Sequence, residues 1–127
     1  MKRILIVEDD PIIGRIYRAC LEKAGHQVEI ATDGQSCLDQ VLKFKPDGLL
    51  LDLMLPRING LELLKRMRAA PAFQHLPIIV CTNACVPELL QGARQAGATA
   101  VFDKSSLTHH ELAEAFGCGN SPRSKTR

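Results

Sequence analysis

The sequence lacks several features that mark specialised classes of protein. It contains no tryptophan and a single tyrosine, and its apolar runs fall far short of the roughly 20 residues that a membrane-spanning helix needs. Its five cysteines include no Cys-x-x-Cys pair, which removes the usual signature of a zinc or disulfide-exchange site. An odd number of unpaired cysteines favours a reducing compartment. We therefore predict a cytoplasmic protein without a membrane segment.

A strong excess of charge of either sign is also missing. The formal net charge is +2, and residues 117–127 contain Arg123, Lys125 and Arg127 but no acid, which leaves 13 basic and 14 acidic residues in the rest of the chain. The body of the protein is therefore nearly neutral, and we expect it not to bind nucleic acid directly. The three dispersed charges of residues 117–127 make only a weak electrostatic footprint. The composition predicts one domain over residues 1–116 and a flexible basic tail over residues 117–127.

Short apolar runs alternate with amphipathic stretches along the whole domain. The apolar runs predict five strands, at residues 4–7, 27–31, 48–51, 77–81 and 98–102. The amphipathic stretches between and after them predict five helices. Strands that alternate with helices form parallel sheets covered on both faces. We predict an α/β fold with a five-stranded parallel sheet in the order 2-1-3-4-5, the flavodoxin-like doubly wound arrangement.

Capping residues predict where the helices begin and end. Asp10 before a proline is a strong N-cap for the first helix, and Gly25 ends that helix. Thr32 and Gln35 have the spacing of a capping box at the start of the second helix. The remaining helices are predicted to start near Asn59, Pro87 and Thr108. The four histidines are interpreted as surface or helix-start residues: His26, His75, His109 and His110.

One carboxylate interrupts the most apolar part of the chain. Asp52 follows Leu49-Leu50-Leu51, and an unpaired charge inside a buried strand costs several kcal/mol. Asp52 must therefore lie where the strand ends, at the edge of the sheet where ligands of α/β proteins collect. Other predicted strands end at the same edge in polar residues: Glu8 and Asp9, Thr82, and Lys104.

These strand ends predict phosphoryl chemistry. Crowded carboxylates raise one another's pKa unless a cation lies among them, and Mg²⁺ suits a site with few carboxylates, waters and a phosphate. Lys104 adds a positive point charge and Thr82 a hydroxyl donor. Together they describe a nucleophilic Asp52 that accepts a phosphoryl group while the other groups neutralise its oxygens.

The motif spacing resembles the receiver domain of bacterial two-component response regulators. The resemblance covers residues 2 to about 116 and rests on the D-x-x-x-P-x-x-x-G pattern of Asp52, Pro56 and Gly60, together with the polar residues at the strand ends and Gly97-Ala98. It implies that the chain is a stand-alone receiver or part of a longer regulator. It also implies phosphorylation by a sensor histidine kinase or a histidine phosphotransfer domain.

The resemblance implies a role for each matching residue. Asp52 is the phosphoacceptor, and Asp9 binds Mg²⁺ directly while Glu8 acts mostly through metal-bound water. Asp52 itself and the backbone carbonyl of Met54 are the further metal ligands. Thr82 and Lys104 contact the phosphoryl group, and the surface of helix 4, strand 5 and helix 5 carries the output. Such a protein catalyses only its own phosphorylation and dephosphorylation.

Three departures from the family pattern keep alternatives open. Val101 stands where receivers usually have an aromatic residue, Asn83 where they have a small one, and Ser105 where they have proline. The first two favour an interaction-only receiver that is not phosphorylated. A haloacid dehalogenase-like phosphatase is disfavoured, since its Asp-x-Asp motif is absent at Asp52-Leu53-Met54. A flavin site is disfavoured by the scarcity of aromatic residues.

Overall fold

Strands and helices alternate along the chain in a computed structural model that describes residues 2–83 and 86–116. The strands are β1 (Arg3–Val7), β2 (Gln27–Ala31), β3 (Gly48–Leu51), β4 (Ile78–Thr82) and β5 (Ala100–Asp103). The helices are α1 (Pro11–Lys23), α2 (Gly34–Phe44), α3 (Gly60–Ala69), α4 (Pro87–Gln95) and α5 (His109–Ala115), with a 3₁₀ turn at Pro71–Phe73. All strand pairs are parallel and the order is β2-β1-β3-β4-β5, which confirms the predicted fold. The predicted tail, residues 117–127, lies outside the described residues.

Two apolar clusters cover the two faces of the sheet. Side chains of a strand point alternately to opposite faces, so Leu49 and Leu51 of β3 join one cluster and Leu50 joins the other. The first cluster includes apolar residues of α2 and α3, and the second includes apolar residues of α1 and α5. β3 is buried along its whole length, which explains its uninterrupted apolar sequence. No helix in the described part of the chain combines the length and apolar content of a membrane span.

Most predicted helix boundaries are confirmed, and one is wrong. The Asp10 side chain accepts hydrogen bonds from the backbone N–H groups of Ile12 and Ile13, and Thr108 forms a capping box with Glu111. The N-cap of α2 is Asp33 rather than Thr32, because the Asp33 carboxylate accepts the Ser36 N–H at 2.7 Å. A carboxylate caps more strongly than a threonine hydroxyl and complements the helix dipole.

The start of β5 also differs from the prediction. The strand begins at Ala100 rather than at Ala98, because the Ala98 N–H still bonds to the Ala93 carbonyl at the end of α4. Gly97 makes this possible with a φ of +108°, a conformation that side-chain-bearing residues rarely adopt. The backbone hydrogen bonds between this segment and β4 begin at Thr99, whose N–H donates to the Ile78 carbonyl.

His26 is buried, which corrects its interpretation as a surface residue. Only 5% of the residue is exposed, and its Nδ1 accepts a hydrogen bond from the Lys2 N–H at 3.3 Å. Its Nε2 is buried without a hydrogen-bond partner among the described residues. Burial, assisted by neighbouring positive charges that include Lys2, lowers the pKa of His26 below its ordinary value.

The His26 pKa predicts a loss of stability in mild acid. Because the folded state has the lower pKa, the unfolded chain binds a proton more readily, so stability falls as the pH drops from about 7.5 to about 5. We expect the free energy of unfolding, measured in urea, to change less steeply with pH across this window in His26→Gln than in the wild type. His75→Gln, which removes an exposed imidazole, is the control that separates the effect of burial from the loss of a histidine in general. Equal slopes for wild type and His26→Gln would contradict the prediction.

Candidate functional site

The carboxyl ends of four strands meet at one edge of the sheet, and backbone hydrogen bonds extend the sheet just beyond them. The Glu8 N–H donates to the Ala31 carbonyl at 3.0 Å, and the Asp52 N–H donates to the Val7 carbonyl at 3.1 Å. The Lys104 N–H donates to the Thr82 carbonyl at 3.0 Å. The main chain of each polar strand end is thus held in register, so the side chains are positioned by the sheet rather than by free loops.

Three carboxylates lie together at this edge. One oxygen from each of Glu8, Asp9 and Asp52 lies within 4.8 Å of the others. Glu8 and Asp52 are buried, whereas Asp9 is exposed to solvent. Oxygens that bind one Mg²⁺ ion lie about 3 to 4 Å apart. Small movements of these side chains would bring their oxygens to that spacing. The exposed side at Asp9 leaves room for the waters that Mg²⁺ retains.

Lys104 connects two of these carboxylates. Its Nζ lies 2.6 Å from Glu8 Oε1 and 3.2 Å from Asp52 Oδ2, and only 9% of its side chain is exposed. Burial alone would lower the pKa of Lys104, but the hydrogen bond to Glu8 and the charge of Asp52 outweigh it and raise the pKa. Lys104 therefore stays charged inside the cluster and neutralises part of its negative charge.

Glu8 has a less favourable environment for its charge. Burial raises the pKa of Glu8, and the charge of Asp52 raises it further, while the hydrogen bonds from Lys104 and from the Asp10 N–H act in the opposite direction. The net shift of the Glu8 pKa is upward, so the hydrogen bonds from Lys104 and from the Asp10 N–H do not fully offset the cost of burying the Glu8 charge. A divalent cation would supply the missing positive charge.

The loop after β3 orients the Asp52 side chain. The Met54 N–H donates to Asp52 Oδ1 at 3.1 Å, while Oδ2 faces Lys104. Met54 thus lies beside the carboxylate as the sequence predicts, and the use of its carbonyl as a metal ligand stays a prediction. The Met54 side chain is exposed at the rim of the site.

Gly60 brings the start of α3 against the backbone of Asp52. The Gly60 N–H donates to the Leu53 carbonyl at 3.0 Å. A Cβ atom at residue 60 would lie 2.4 Å from the Asp52 carbonyl oxygen and 2.5 Å from the Leu53 Cα. These are main-chain atoms, so a side chain at residue 60 could be accommodated only by moving the loop that carries Asp52.

Near the buried Thr82, the β5 residues Val101 and Phe102 lie on opposite faces of the sheet. Thr82 is the last residue of β4 and is buried. Val101 packs against the cluster of α2 and α3, and Phe102 packs against the cluster of α1 and α5, as the strand alternation predicts. The parts that Thr82 and Val101 play in signalling stay predictions.

The sequence did not reveal a contact that lies beneath the site. The Tyr17 hydroxyl of α1 and the Cys81 thiol of β4 are 3.4 Å apart. Burial, the contact with Cys81 and the charges of Glu8 and Asp52 all raise the pKa of Tyr17. Tyr17 lies on an amphipathic helix, and the apolar period of such a helix gives no sign of a partner in β4.

Comparisons with known proteins agree on one family. The family model described as "Response regulator receiver domain" matches residues 4–116. The gliding motility regulatory protein of Myxococcus xanthus is 33% identical over 114 residues, which cover 90% of this chain and 15% of that protein. Response regulator MprA of Mycobacterium avium is 41% identical over 80 residues, which cover 63% of this chain and 34% of that protein. The matched part of the chain thus spans only 15% to 34% of the length of these curated relatives.

Solved structures with the same fold cover nearly all of the chain. Chemotaxis protein CheY4 of Vibrio cholerae superimposes with a TM-score of 0.81 at 29% identity, covering 88% of this chain and 92% of that one. A CheY-like response regulator receiver domain protein of Methanospirillum hungatei has a TM-score of 0.82 at 31% identity, covering 90% of this chain and 89% of that one. Both similarities extend across the sheet and its flanking helices.

Proposed function

This chain belongs to the response regulator receiver domain family, and we propose that it is a phospho-accepting switch of a two-component or phosphorelay system. In this proposal Asp52 takes a phosphoryl group from a phosphohistidine on a sensor histidine kinase or a histidine phosphotransfer domain. The observation that carries the proposal is the buried cluster in which Lys104 contacts both Glu8 and Asp52 beside the exposed Asp9. A receiver of this kind is a cytoplasmic signalling domain and catalyses only its own phosphorylation and dephosphorylation.

The proposed reaction uses Asp52 as the nucleophile. A carboxylate oxygen of Asp52 attacks phosphorus, the bond between phosphorus and the imidazole nitrogen breaks, and the histidine leaves. Asp9, Asp52 and the Met54 carbonyl would hold Mg²⁺, and Glu8 would act mostly through a metal-bound water. The ion, when bound, would neutralise charge on the phosphoryl oxygens. Lys104 would exchange its contact with Asp52 for one with a phosphoryl oxygen, and the Thr82 hydroxyl would donate to another.

The domain organisation follows from the same proposal. Residues 1–116 would form the receiver, and residues 117–127 would be a flexible basic tail. The output would be a change in the surface of α4, β5 and α5. Whether the chain works alone or within a longer regulator, its phosphorylation chemistry would be complete within the receiver.

Met54 provides the argument against a phosphatase of the haloacid dehalogenase type. Such a phosphatase has a second carboxylate two residues after its nucleophile. At that position this chain offers only a thioether side chain and the backbone N–H that contacts Asp52. No proton donor is therefore available there for a leaving alcohol.

Incubation with acetyl phosphate tests the proposed function. We expect intact-mass analysis to reveal one phosphoryl group on the wild type when Mg²⁺ is present and none when the metal is chelated. No adduct in Mg²⁺ would contradict the proposal and favour an interaction-only receiver. Sustained hydrolysis of a phosphomonoester would instead favour the phosphatase.

Exposed apolar side chains beside the site predict how the phosphodonor docks. Ile12 is 61% exposed and Ile16 is 47% exposed, and they lie one turn apart on α1, which starts two residues after Asp9. Met54 and Val86, in loops that follow β3 and β4, are exposed at the same end of the sheet. Apolar anchors near an interface centre carry most of the binding energy in protein complexes.

Replacing both isoleucines should separate docking from chemistry. The test uses a phosphotransfer domain that phosphorylates the wild type. We expect the double variant Ile12→Ser, Ile16→Ser to accept the phosphoryl group from it about tenfold more slowly. Acetyl phosphate, which needs no docking surface, should phosphorylate the double variant at the wild-type rate. Leu42→Ser, a matched change of an exposed apolar residue of α2, should leave both rates unchanged. A loss of both rates in the double variant would show damage to the site and contradict the docking prediction.

A further inference from the structure

A second cavity lies at the opposite end of the sheet from Asp52. It has a volume of about 450 Å³ and is formed by Val41, Leu42 and Lys45 of the α2 end and by Phe73, His75 and Leu76 of the segment before β4. Both segments lead into the starts of parallel strands, β3 and β4, whereas Asp52 follows the end of β3. This volume lies within the range of roughly 300 to 1,000 Å³ that is typical of small-molecule sites.

The walls of this cavity are held by contacts outside it. The Arg68 guanidinium donates to the carbonyls of Phe73 at 2.7 Å, Gln74 at 3.3 Å and Gly97 at 2.9 Å. On the other side the Arg3 guanidinium donates to the Phe44 carbonyl at the end of α2. Pro46 and Pro71, at the ends of the two segments, restrict the backbone further.

The lining combines an apolar surface with positive charge. Leu42 is 67% exposed, and it is a large apolar side chain that the proposed phosphodonor surface does not use. Lys45 and His75 are the ionisable residues of the lining, which includes no acid. Neither residue forms an ion pair with any residue that the structure describes. An apolar ligand body with a single negative charge complements such a lining.

The size and charge of the cavity decide its occupant. A volume of about 450 Å³ suits a small molecule rather than a folded partner. Residues 117–127 carry three basic residues and no acid, so their charge is wrong for a site that presents Lys45. We propose that this cavity binds a small amphiphilic carboxylate, with its alkyl chain against Leu42 and Phe73 and its carboxylate at Lys45 and His75.

Octanoate is the probe that tests this site, with octylammonium and octanol as matched ligands. We expect titration of the ¹⁵N-labelled full chain with octanoate to give saturable amide shifts at the lining residues. Octanoate should bind about fivefold more tightly than octylammonium, because only the carboxylate is attracted by Lys45. Octanol should fall between the two. The Asp52→Asn protein should bind octanoate as the wild type does, so this test is independent of the phosphoacceptor.

Two variants and one control identify the contacts. Lys45→Gln should weaken octanoate binding about three- to fivefold and remove the preference over octylammonium. Leu42→Ser should weaken both ligands about tenfold. Lys43→Gln, an exposed lysine on the same helix that does not line the cavity, should change nothing. Because all three positions are exposed, the variants should keep the wild-type melting temperature.

Three results would overturn the proposal. They are the absence of saturable shifts at the cavity, equal affinity for octanoate and octylammonium, and an equal effect of Lys43→Gln and Lys45→Gln. A concentration-dependent dimer that Leu42→Ser abolishes, without octanoate binding to the monomer, would also overturn it and assign the surface to a second copy of the chain.

Discussion

Asp52→Asn is expected to abolish phosphorylation by acetyl phosphate while the protein stays folded. The amide has the shape of the carboxylate but is a far weaker nucleophile and carries no charge for Mg²⁺. Its side-chain oxygen can still accept the hydrogen bond that the Met54 N–H donates to Asp52. Intact-mass analysis of wild type and variant, each with Mg²⁺ and acetyl phosphate, measures the difference directly. We expect no phosphoryl adduct on the variant.

Asp10→Asn is the matched control for this experiment. Asp10 is two residues from Glu8 but caps α1, and Asn is as good an N-cap as Asp. The control should accept a phosphoryl group at the wild-type rate. An adduct of unchanged yield on Asp52→Asn would place the phosphoacceptor elsewhere. Loss of the adduct from both variants would indicate that the general acidity of this edge matters rather than a particular carboxylate.

Gly60→Ala is expected to be the most destabilising of the substitutions considered. The new Cβ would lie 2.4 Å from the Asp52 carbonyl oxygen, well inside van der Waals contact. Overpacking against main-chain atoms that cannot rotate away costs about 3 kcal/mol. Urea unfolding should register this loss. Phosphorylation should slow in parallel, because the backbone that moves is the one that carries the nucleophile.

Gly14→Ala is the control that separates this clash from the general effect of replacing glycine. Gly14 lies within α1, and an added Cβ would meet Ile30 side-chain atoms at 3.6 Å and beyond, which is ordinary contact. Alanine should stabilise the helix there by about 0.5–1 kcal/mol. If Gly60→Ala were as stable as Gly14→Ala, the tight approach between α3 and the Asp52 loop would be refuted.

The fold was predictable because its signals are local. Runs of four apolar residues around Leu5 and three around Leu50 have the pattern of a strand buried on both faces, and the alternation with helices then favours a parallel sheet. The error at the start of α2 arose because two adjacent residues, Thr32 and Asp33, both suit an N-cap. The Asp33 carboxylate is the one that accepts the Ser36 N–H.

His26 illustrates a different limit of sequence reasoning. A histidine that follows a helix-ending glycine is typical of an exposed turn. Its burial depends on how α1 and β2 pack around the Lys2 backbone, which lies 24 residues away in the sequence. Periodicity within either element carries no information about that contact.

The sequence by itself determined the elements of this protein and the polar residues at the strand ends, since each is encoded by neighbours within a few residues. The strand order followed from the alternation of strands and helices along the chain. Only the tertiary structure decided that Lys104 contacts Glu8, 96 residues away, that the contact is buried, and that Gly60 touches the Asp52 backbone. The physical reason is that charge interactions depend on distance and solvent exposure. Those quantities exist only once the parallel strands have brought distant residues to one edge.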